Sequence, residues 1–530
     1  MSKANLIKIL IFSFLTNFLL YLSFPPADIG YLAWIAFVPW FFLIVTEEKY
    51  VYLNALFIGV VFFFIQLSWL RYVTVAAWIL LSLYCSAYFL AFACGTRFIV
   101  FRLKLPLVII APCVWASLEF IRSFLLSGFP WFFIGHTQYR FLPVIQIADI
   151  TGVYGISFVI ITVNAAITDM ITCGSGVRRT QRSKYIFFGL TCFFPAALLS
   201  AALLYGVCWL RDYEPQEGPA VCMVQGNIPQ DLKFESTEED DIQILKKYSD
   251  LSMGVKGELI DLLVWPETMT PGLLNINPEL TGRKIDMLSQ LTAVQLAQDL
   301  NTNLLLGGLS LTLVGDEQIY SNSAFYYNRK GELLDRYDKI HLVPFGEFTP
   351  FKKYFPFLAG LVPYEIGLTH GNRRILFNLD TPTGGSFTFG SSICYEDTVP
   401  SLTRKFKKDG AEFMLNITND GWFRNSAELD QHLAIMVFRA VENRICMVRA
   451  ANTGISSFVA PNGYIYDKLT DSKGGYREVS GTLVNRIKLI KKYNTFYTIC
   501  GDLFSILCSA ASGIMLIMSV LKIRLSRKTP

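Results

Sequence analysis

Eight apolar stretches, near residues 6–22, 31–46, 51–70, 74–96, 106–125, 154–172, 185–209 and 495–520, constrain this chain more than any other feature. A helix needs roughly 20 residues to cross a bilayer, and each stretch is about that long. Inside lipid the backbone must satisfy its own hydrogen bonds, so the expected form is a membrane α-helical bundle of about eight transmembrane helices. The first stretch follows Lys3 and Lys8, as a secretory leader would. No small-residue cleavage site follows it, and Ser23-Phe24-Pro25-Pro26 leads directly to the next stretch, so a retained helix is expected. Composition agrees: the chain is 52% hydrophobic and only 17% charged, with a mean hydropathy of +0.40.

Lys and Arg in the short loops set the orientation. With a cytoplasmic N-terminus, the inside segments carry Lys3, Lys8, Lys49, Arg97, Arg102, Lys104, Arg178, Arg179, Arg182, Lys184, Lys522, Arg524, Arg527 and Lys528. The outside segments carry only Arg71, Arg122, Arg140 and Arg211. An odd number of spans precedes residue 212, which places the long polar middle of the chain outside the cytoplasm. The expected domains are a transmembrane domain at 1–211, an extracytoplasmic α/β domain at 212–490, and a closing helix with a basic tail at 491–530. The net charge of +5 reflects this orientation, and without a basic stripe interleaved with aromatics there is no nucleic-acid footprint.

In the middle region short β-branched or apolar runs alternate with amphipathic stretches, as in an α/β layer fold. Expected strands are 220–225, 259–265, 303–307, 323–327, 386–393, 412–417 and 455–460, and expected helices are 239–256, 283–300 and 428–446. Of eleven cysteines only Cys222, Cys394 and Cys446 lie in this region, there is no CxxC pair, and the whole chain has four histidines. A zinc site or a disulfide framework finds no support in that pattern.

Three polar positions stand where chemistry would. Cys394 follows the strand-like run Phe387-Thr388-Phe389-Gly390-Ser391-Ser392-Ile393 and precedes a helix from Pro400; such a junction presents a nucleophile at the sheet edge beside backbone N–H groups. Glu267, in Val264-Trp265-Pro266-Glu267-Thr268, ends an apolar strand, where partial shielding suits a general base. Lys339 lies in Tyr337-Asp338-Lys339-Ile340-His341-Leu342-Val343-Pro344-Phe345-Gly346-Glu347, and an ammonium near a thiol favours thiolate and stabilises oxyanion charge. Taken singly, each has an ordinary alternative: a structural cysteine, a loop acid, a solvated lysine.

Together the three motifs, in this order, resemble the nitrilase superfamily and, within it, the apolipoprotein N-acyltransferases of the bacterial envelope. The resemblance implies that Glu267 in WPET is the base, Lys339 in YDKIHLVPFGEFTP the catalytic lysine and Cys394 in ICYED the nucleophile. It implies accessory or substrate-binding roles for Glu347 in GEFTP, Asn322 in YSNSAF, Tyr395 and Glu396. Val224-Gln225-Gly226-Asn227-Ile228-Pro229-Gln230 is similar to the opening strand of such a domain, and Gly128-Phe129-Pro130-Trp131 and Gly155-Ile156-Ser157-Phe158 to membrane-domain segments. The implied fold of the middle region is a nitrilase-like αββα sandwich. The implied activity takes an acyl chain from a membrane phospholipid onto Cys394 as a thioester and passes it to the N-terminal amine of a diacylated apolipoprotein. The implied setting is the bacterial inner membrane, with the catalytic domain periplasmic, the protein a monomer, and no metal or organic cofactor.

Two positions depart from the pattern: Phe234 stands where tryptophan is frequent, and Arg424 where glycine is usual. The segment 344–367 crowds Phe345, Phe348, Phe351, Tyr354, Phe355, Phe357, Leu358, Leu361 and Tyr364, which suggests a lid that dips into lipid. Glu119 and Arg122, near the outer end of a span, are expected to form an ion pair or to meet lipid headgroups. Rival readings are a membrane-tethered nitrilase-type amidohydrolase and a transporter. A transporter usually carries ionisable groups within its spans, whereas here charge gathers at their ends.

Overall fold

The computed structural model describes residues 3–47, 49–173, 181–234, 236–315, 317–344, 346–348, 367–490 and 493–526. They form two compact units, one of residues 1–71, 75–213 and 500–530, the other of residues 72–74 and 214–499.

Helices occupy all eight apolar stretches of the first unit. Five are long and apolar enough to cross a membrane: Asn5–Ser23, Val75–Leu103, Val153–Thr172, Gly189–Arg211 and Leu503–Arg524. The others are shorter, at Val38–Thr46, Val51–Gln66 and Leu107–Arg122. Phe14, Phe193, Leu204 and Ile517 are all more than half exposed on outer faces, which suits contact with lipid rather than water. Buried polar side chains close the backbone breaks. Asn164 accepts from the Phe37 N–H at 2.9 Å and donates to the Ala33 carbonyl at 2.9 Å, spanning the interruption before Val38–Thr46. Asp169 accepts from the Val108 N–H at 2.9 Å where Leu107–Arg122 begins.

Glu119 and Arg122 do not pair with each other. Glu119 Oε1 accepts from the Trp115 indole and the Ile134 N–H, both at 2.8 Å. Arg122 donates to the Phe132 carbonyl at 3.3 Å and lies over the rings of Phe63, Tyr88 and Phe133. Each group finds its partner on a neighbouring segment, so no direct ion pair is needed.

The second unit is a sandwich of two six-stranded sheets. One contains β1 (Gln216–Gln225), β2 (Leu262–Thr270), β3 (Asn303–Val314), β4 (Glu317–Tyr327), β5 (Leu333–Asp338) and β12 (Gly481–Leu489), in the order β12-β1-β2-β3-β4-β5. The other contains β6 (Leu376–Asp380), β7 (Ser386–Ile393), β8 (Phe413–Thr418), β9 (Cys446–Ala451), β10 (Ser457–Val459) and β11 (Ile465–Lys468), in the order β11-β10-β9-β8-β7-β6. Each sheet has three parallel strands at its heart, β1-β2-β3 and β7-β8-β9, flanked by antiparallel ones.

Helices Glu238–Met253 and Lys284–Leu300 cover the first sheet. Tyr248, Ala293, Leu296 and Ala297 pack there with Cys222, Val224, Leu263, Trp265 and Leu304. Helices Pro400–Asp409 and Glu428–Asn443 belong to the second sheet. Tyr326 of β4 meets Phe377 and Phe389 across the sandwich, with ring centroids 5.2 and 5.5 Å apart. The expected αββα layering is thus the observed one.

Five strands were not expected: β5, β6, β9, β11 and β12. Four of them lie at or beside sheet edges, where one face meets water and the apolar pattern thins. The fifth, β9, is central and fully buried but carries Arg449. The expected strand 259–265 runs instead from Leu262 to Thr270, past Pro266. Most of the aromatic segment expected as a lid, Phe345 and residues 349–366, lies outside the described residues.

Candidate active site

The three candidate residues sit at C-terminal ends of strands in both sheets, where α/β proteins place their ligands. Glu267 stands on an irregularity. The pairing of β2 with β3 is regular to Trp265–Leu306 and resumes at Thr270–Gly308, and Thr268 between them has φ +53°. The bulge turns Glu267 inward. Gly307 makes room for it, since a Cβ there would meet the Pro266 carbonyl oxygen at 2.1 Å. Lys233, from helix Gln230–Phe234, hydrogen-bonds the Thr268 hydroxyl beside the bulge. Burial lowers its pKa to about 8 against the pull of Glu267 and Asp241. The Phe234 side chain is outside the described residues.

Lys339 follows β5 directly. Its N–H donates to the Asn322 carbonyl at 2.8 Å and its carbonyl accepts from Gly371 at 2.7 Å, so the backbone is held from both sides. Its ammonium, 1% exposed, donates to Glu347 Oε1 at 2.9 Å and Glu267 Oε1 at 3.3 Å. The Asn322 amide donates to the same two oxygens, at 3.3 Å to Glu347 and 2.8 Å to Glu267. The backbone N–H of Asn419 takes the second Glu267 oxygen at 2.9 Å, and that of Val343 takes the second Glu347 oxygen at 2.9 Å. Burial works against the Lys339 charge. Glu347, Glu267 and Cys394 outweigh it and hold the ammonium well above the ordinary lysine range.

Cys394 ends β7 with φ +52°, a left-handed conformation that a non-glycine residue keeps only when its surroundings enforce it. Two groups enforce it. Asn416 donates to the Cys394 carbonyl at 3.0 Å. Glu396, fully buried, accepts from the N–H groups of Ile393, Ile340 and His341 at 2.8, 2.8 and 2.9 Å, and from the Tyr337 hydroxyl at 2.9 Å. Burial pushes the Glu396 carboxyl up to about 7 against those donors. Glu396 thus binds the nucleophile turn to the strand end that carries Lys339. Tyr395 stacks on His341, centroids 5.8 Å apart.

Of the sequence candidates, Glu267, Lys339, Glu347 and Asn322 form one hydrogen-bonded group. Cys394 lies within electrostatic reach of Glu267 and Lys339. Lys339 favours the Cys394 thiolate, as expected, but burial works against it. Burial, then Glu267, push the Cys394 thiol well above its usual 9.0, and Lys339 offsets them only in part, so the resting group is a thiol. Alkylation of Cys394 by a neutral reagent such as iodoacetamide, followed by mass spectrometry of its peptide, is expected to be still rising at pH 9. A plateau already reached at neutral pH would contradict this.

Arg424 has φ +53° and ψ −161°, a region nearly reserved for glycine, which gives a backbone reason for glycine being usual there. Sequence reasoning missed the Asn419 N–H, which no residue type advertises, and the buried set Asp397, His432 and Arg449, which scattered positions conceal. Asp420, Glu428 and His432 hold donor atoms within 4.8 Å of one another, the spacing of a cation site. His432 also pairs with Asp397, whose other oxygen Arg449 takes.

Residues 220–485, which make up most of the αββα sandwich that carries these groups, match the Carbon-nitrogen hydrolase family. Saccharomyces cerevisiae Nit3, a nitrilase-superfamily protein of known structure, is 20% identical, spans 52% of this chain and 91% of its own, and gives a TM-score of 0.37. Residues 17–166 match the Apolipoprotein N-acyltransferase N-terminal domain. An apolipoprotein N-acyltransferase of Geobacter metallireducens is 33% identical over 94% of this chain and 93% of its own length. That of Chlorobaculum tepidum is 27% identical over 96% of each. The chain belongs to the apolipoprotein N-acyltransferase family, as its three motifs implied.

Proposed function

We propose that this protein N-acylates the N-terminal diacylglyceryl-cysteine of apolipoproteins with a chain taken from a membrane phospholipid, at the outer face of a bacterial inner membrane. The observation that carries the reading is one buried ammonium shared by two carboxylates beside a cysteine at a strained strand end. Glu347, nearer to Lys339, answers its charge, which leaves Glu267 to take the thiol proton. The Cys394 thiolate attacks the phospholipid ester carbonyl. Lys339 and the backbone N–H of Tyr395 hold the oxyanion, and the ester C–O bond breaks as Glu267 returns its proton to the departing lysophospholipid alkoxide.

The thioester is then attacked by the apolipoprotein amine. Glu267 takes the amine proton, the C–S bond breaks, and the thiolate regains a proton as the amide leaves. Covalent relay suits two bulky lipids that share one site in turn, and the kinetics should be ping-pong. Membrane-capable helices and the surplus of Lys and Arg on one side support the outward orientation.

The test supplies the purified protein with phospholipid and a diacylglyceryl-cysteinyl peptide. One triacylated peptide per lysophospholipid is expected. Lysophospholipid accompanied by free fatty acid, with the peptide amine untouched, would instead favour the hydrolase reading.

A further inference from the structure

Behind the nucleophile turn lies a second buried group of charges that the reaction above does not use. His432, on helix Glu428–Asn443, is 1% exposed. Its Nε2 lies 2.8 Å from Asp397 Oδ1, and Asp397 stands three residues after Cys394 on the same turn. Its Nδ1 faces Asp420 Oδ1 at 3.4 Å and Glu428 Oε1 at 3.6 Å. The imidazole thus has a carboxyl group on each side, hydrogen-bonded at Nε2 and within ion-pair distance at Nδ1. Arg449 of β9 closes on the other Asp397 oxygen and donates to the His432 carbonyl at 3.2 Å.

Burial and Arg449 act against the His432 proton, but Asp397 and Asp420 outweigh them and raise it to about 10. Burial and Asp420 push Glu428 well above the carboxylate range, so it stays protonated.

Both acids that His432 holds lead to the reaction centre. Asp397 fixes the turn that aims Cys394. Asp420 accepts from the Thr418 hydroxyl at 2.7 Å, and Thr418 lies close enough to the Cys394 thiol to favour its ionised form. Residue 419, between them, gives its N–H to Glu267. We propose that His432 is a positioning residue for acyl transfer: by holding Asp397 and Asp420 together, it fixes the nucleophile turn against the loop that supplies the backbone donor to Glu267. It also draws on Asp420, which frees the Thr418 hydroxyl to turn its proton to sulfur when the thiolate forms.

This inference rests on Cys394 being the acyl carrier, so the experiment begins with acyl-Cys394 formation in the natural full-length chain in phospholipid micelles. If no adduct forms there, the proposed function fails first. Given that adduct, His432→Gln and Asp397→Asn are compared with Leu433→Ala, a core truncation on the same helix that matches their loss of thermal stability. Each histidine-network variant is expected to slow acyl-Cys394 formation about 10- to 100-fold, with KM for phospholipid near that of the natural chain, as for outer partners that orient a reacting group.

Leu433→Ala is expected to acylate at nearly the natural rate. Should His432→Gln be unable to fold, Asp397→Asn, equal in shape, decides alone. The proposal is overturned if the folded network variants acylate at the natural rate or if Leu433→Ala slows the step as much. It is also overturned if metal analysis finds one divalent ion per chain that His432→Gln removes.

Discussion

Cys394→Ala is expected to abolish acyl-enzyme formation and to lower N-acylation by at least about ten-thousand-fold, the scale of losing a covalent nucleophile. The site has no second group to replace it, for Cys222 and Cys446 are buried within the sandwich and burial pushes both thiols up, to about 12 and about 11. Diacylated lipoprotein with a free amine should accumulate, measured as the missing acyl mass on the N-terminal peptide. Cys394→Ser should fall nearly as far. A hydroxyl is a much weaker acid than a thiol, and a base built to deprotonate sulfur cannot make it a nucleophile at useful rates. Both substitutions nearly preserve volume at a partly exposed position, so the variants should keep the stability of the natural chain.

Lys339→Met should be nearly as damaging, for a different reason, and should also weaken the fold. The ammonium is the only cation bonded to Glu267 and Glu347 among the described contacts. Without it a buried carboxylate, Glu267, and a half-buried one, Glu347, face one another across the Asn322 amide, which favours protonation of one of them. If Glu267 takes the proton, the base is lost at neutral pH. The oxyanion also loses its charged donor, a loss of about 100- to 1,000-fold by itself. Breaking a buried ion pair from one side costs about 3–5 kcal/mol, so a fall in thermal midpoint should accompany the loss of turnover. Glu347→Gln should retain more activity than Glu267→Gln, because Glu347 bonds the lysine closely without being placed to receive the thiol proton. Equal losses in the two would contradict the division of labour between them.

The legibility of the site in the sequence follows from what each residue depends on. Glu267 and Cys394 were readable because each closes a strand-like run, Lys339 because it lies among acids and bases in an aromatic stretch, and all three because each stands in a recognisable motif. Asn322 and Glu347 were readable by resemblance alone, and nothing local says that they bond the same two oxygens. The Asn419 N–H, Asp397 and His432 were not readable, since their importance lies in contacts that only the folded sandwich creates. The burial that raises the Cys394 thiol was not readable, because a motif displays its charges and hides its packing. Among the strands, β7 was found to the residue because Ser386–Ile393 is a single run with clear ends. By contrast β9 escaped because Arg449 breaks its apolar pattern, and only the partner acid Asp397 makes an arginine tolerable in a central strand. Helices were legible at all eight apolar stretches, and five of them among the described residues are long and apolar enough to cross a membrane, because lipid imposes a length and a composition that few other environments demand.

The most direct measurement is the intact mass of the full-length protein after incubation with a phospholipid of defined acyl chains. Transfer through sulfur predicts a gain of one acyl chain, located on Cys394, released by hydroxylamine and lost stoichiometrically to an added diacylglyceryl-cysteinyl peptide. A chain that yields triacylated peptide while Cys394 remains unmodified at every time point, or a Cys394→Ala variant that still does so, would contradict it.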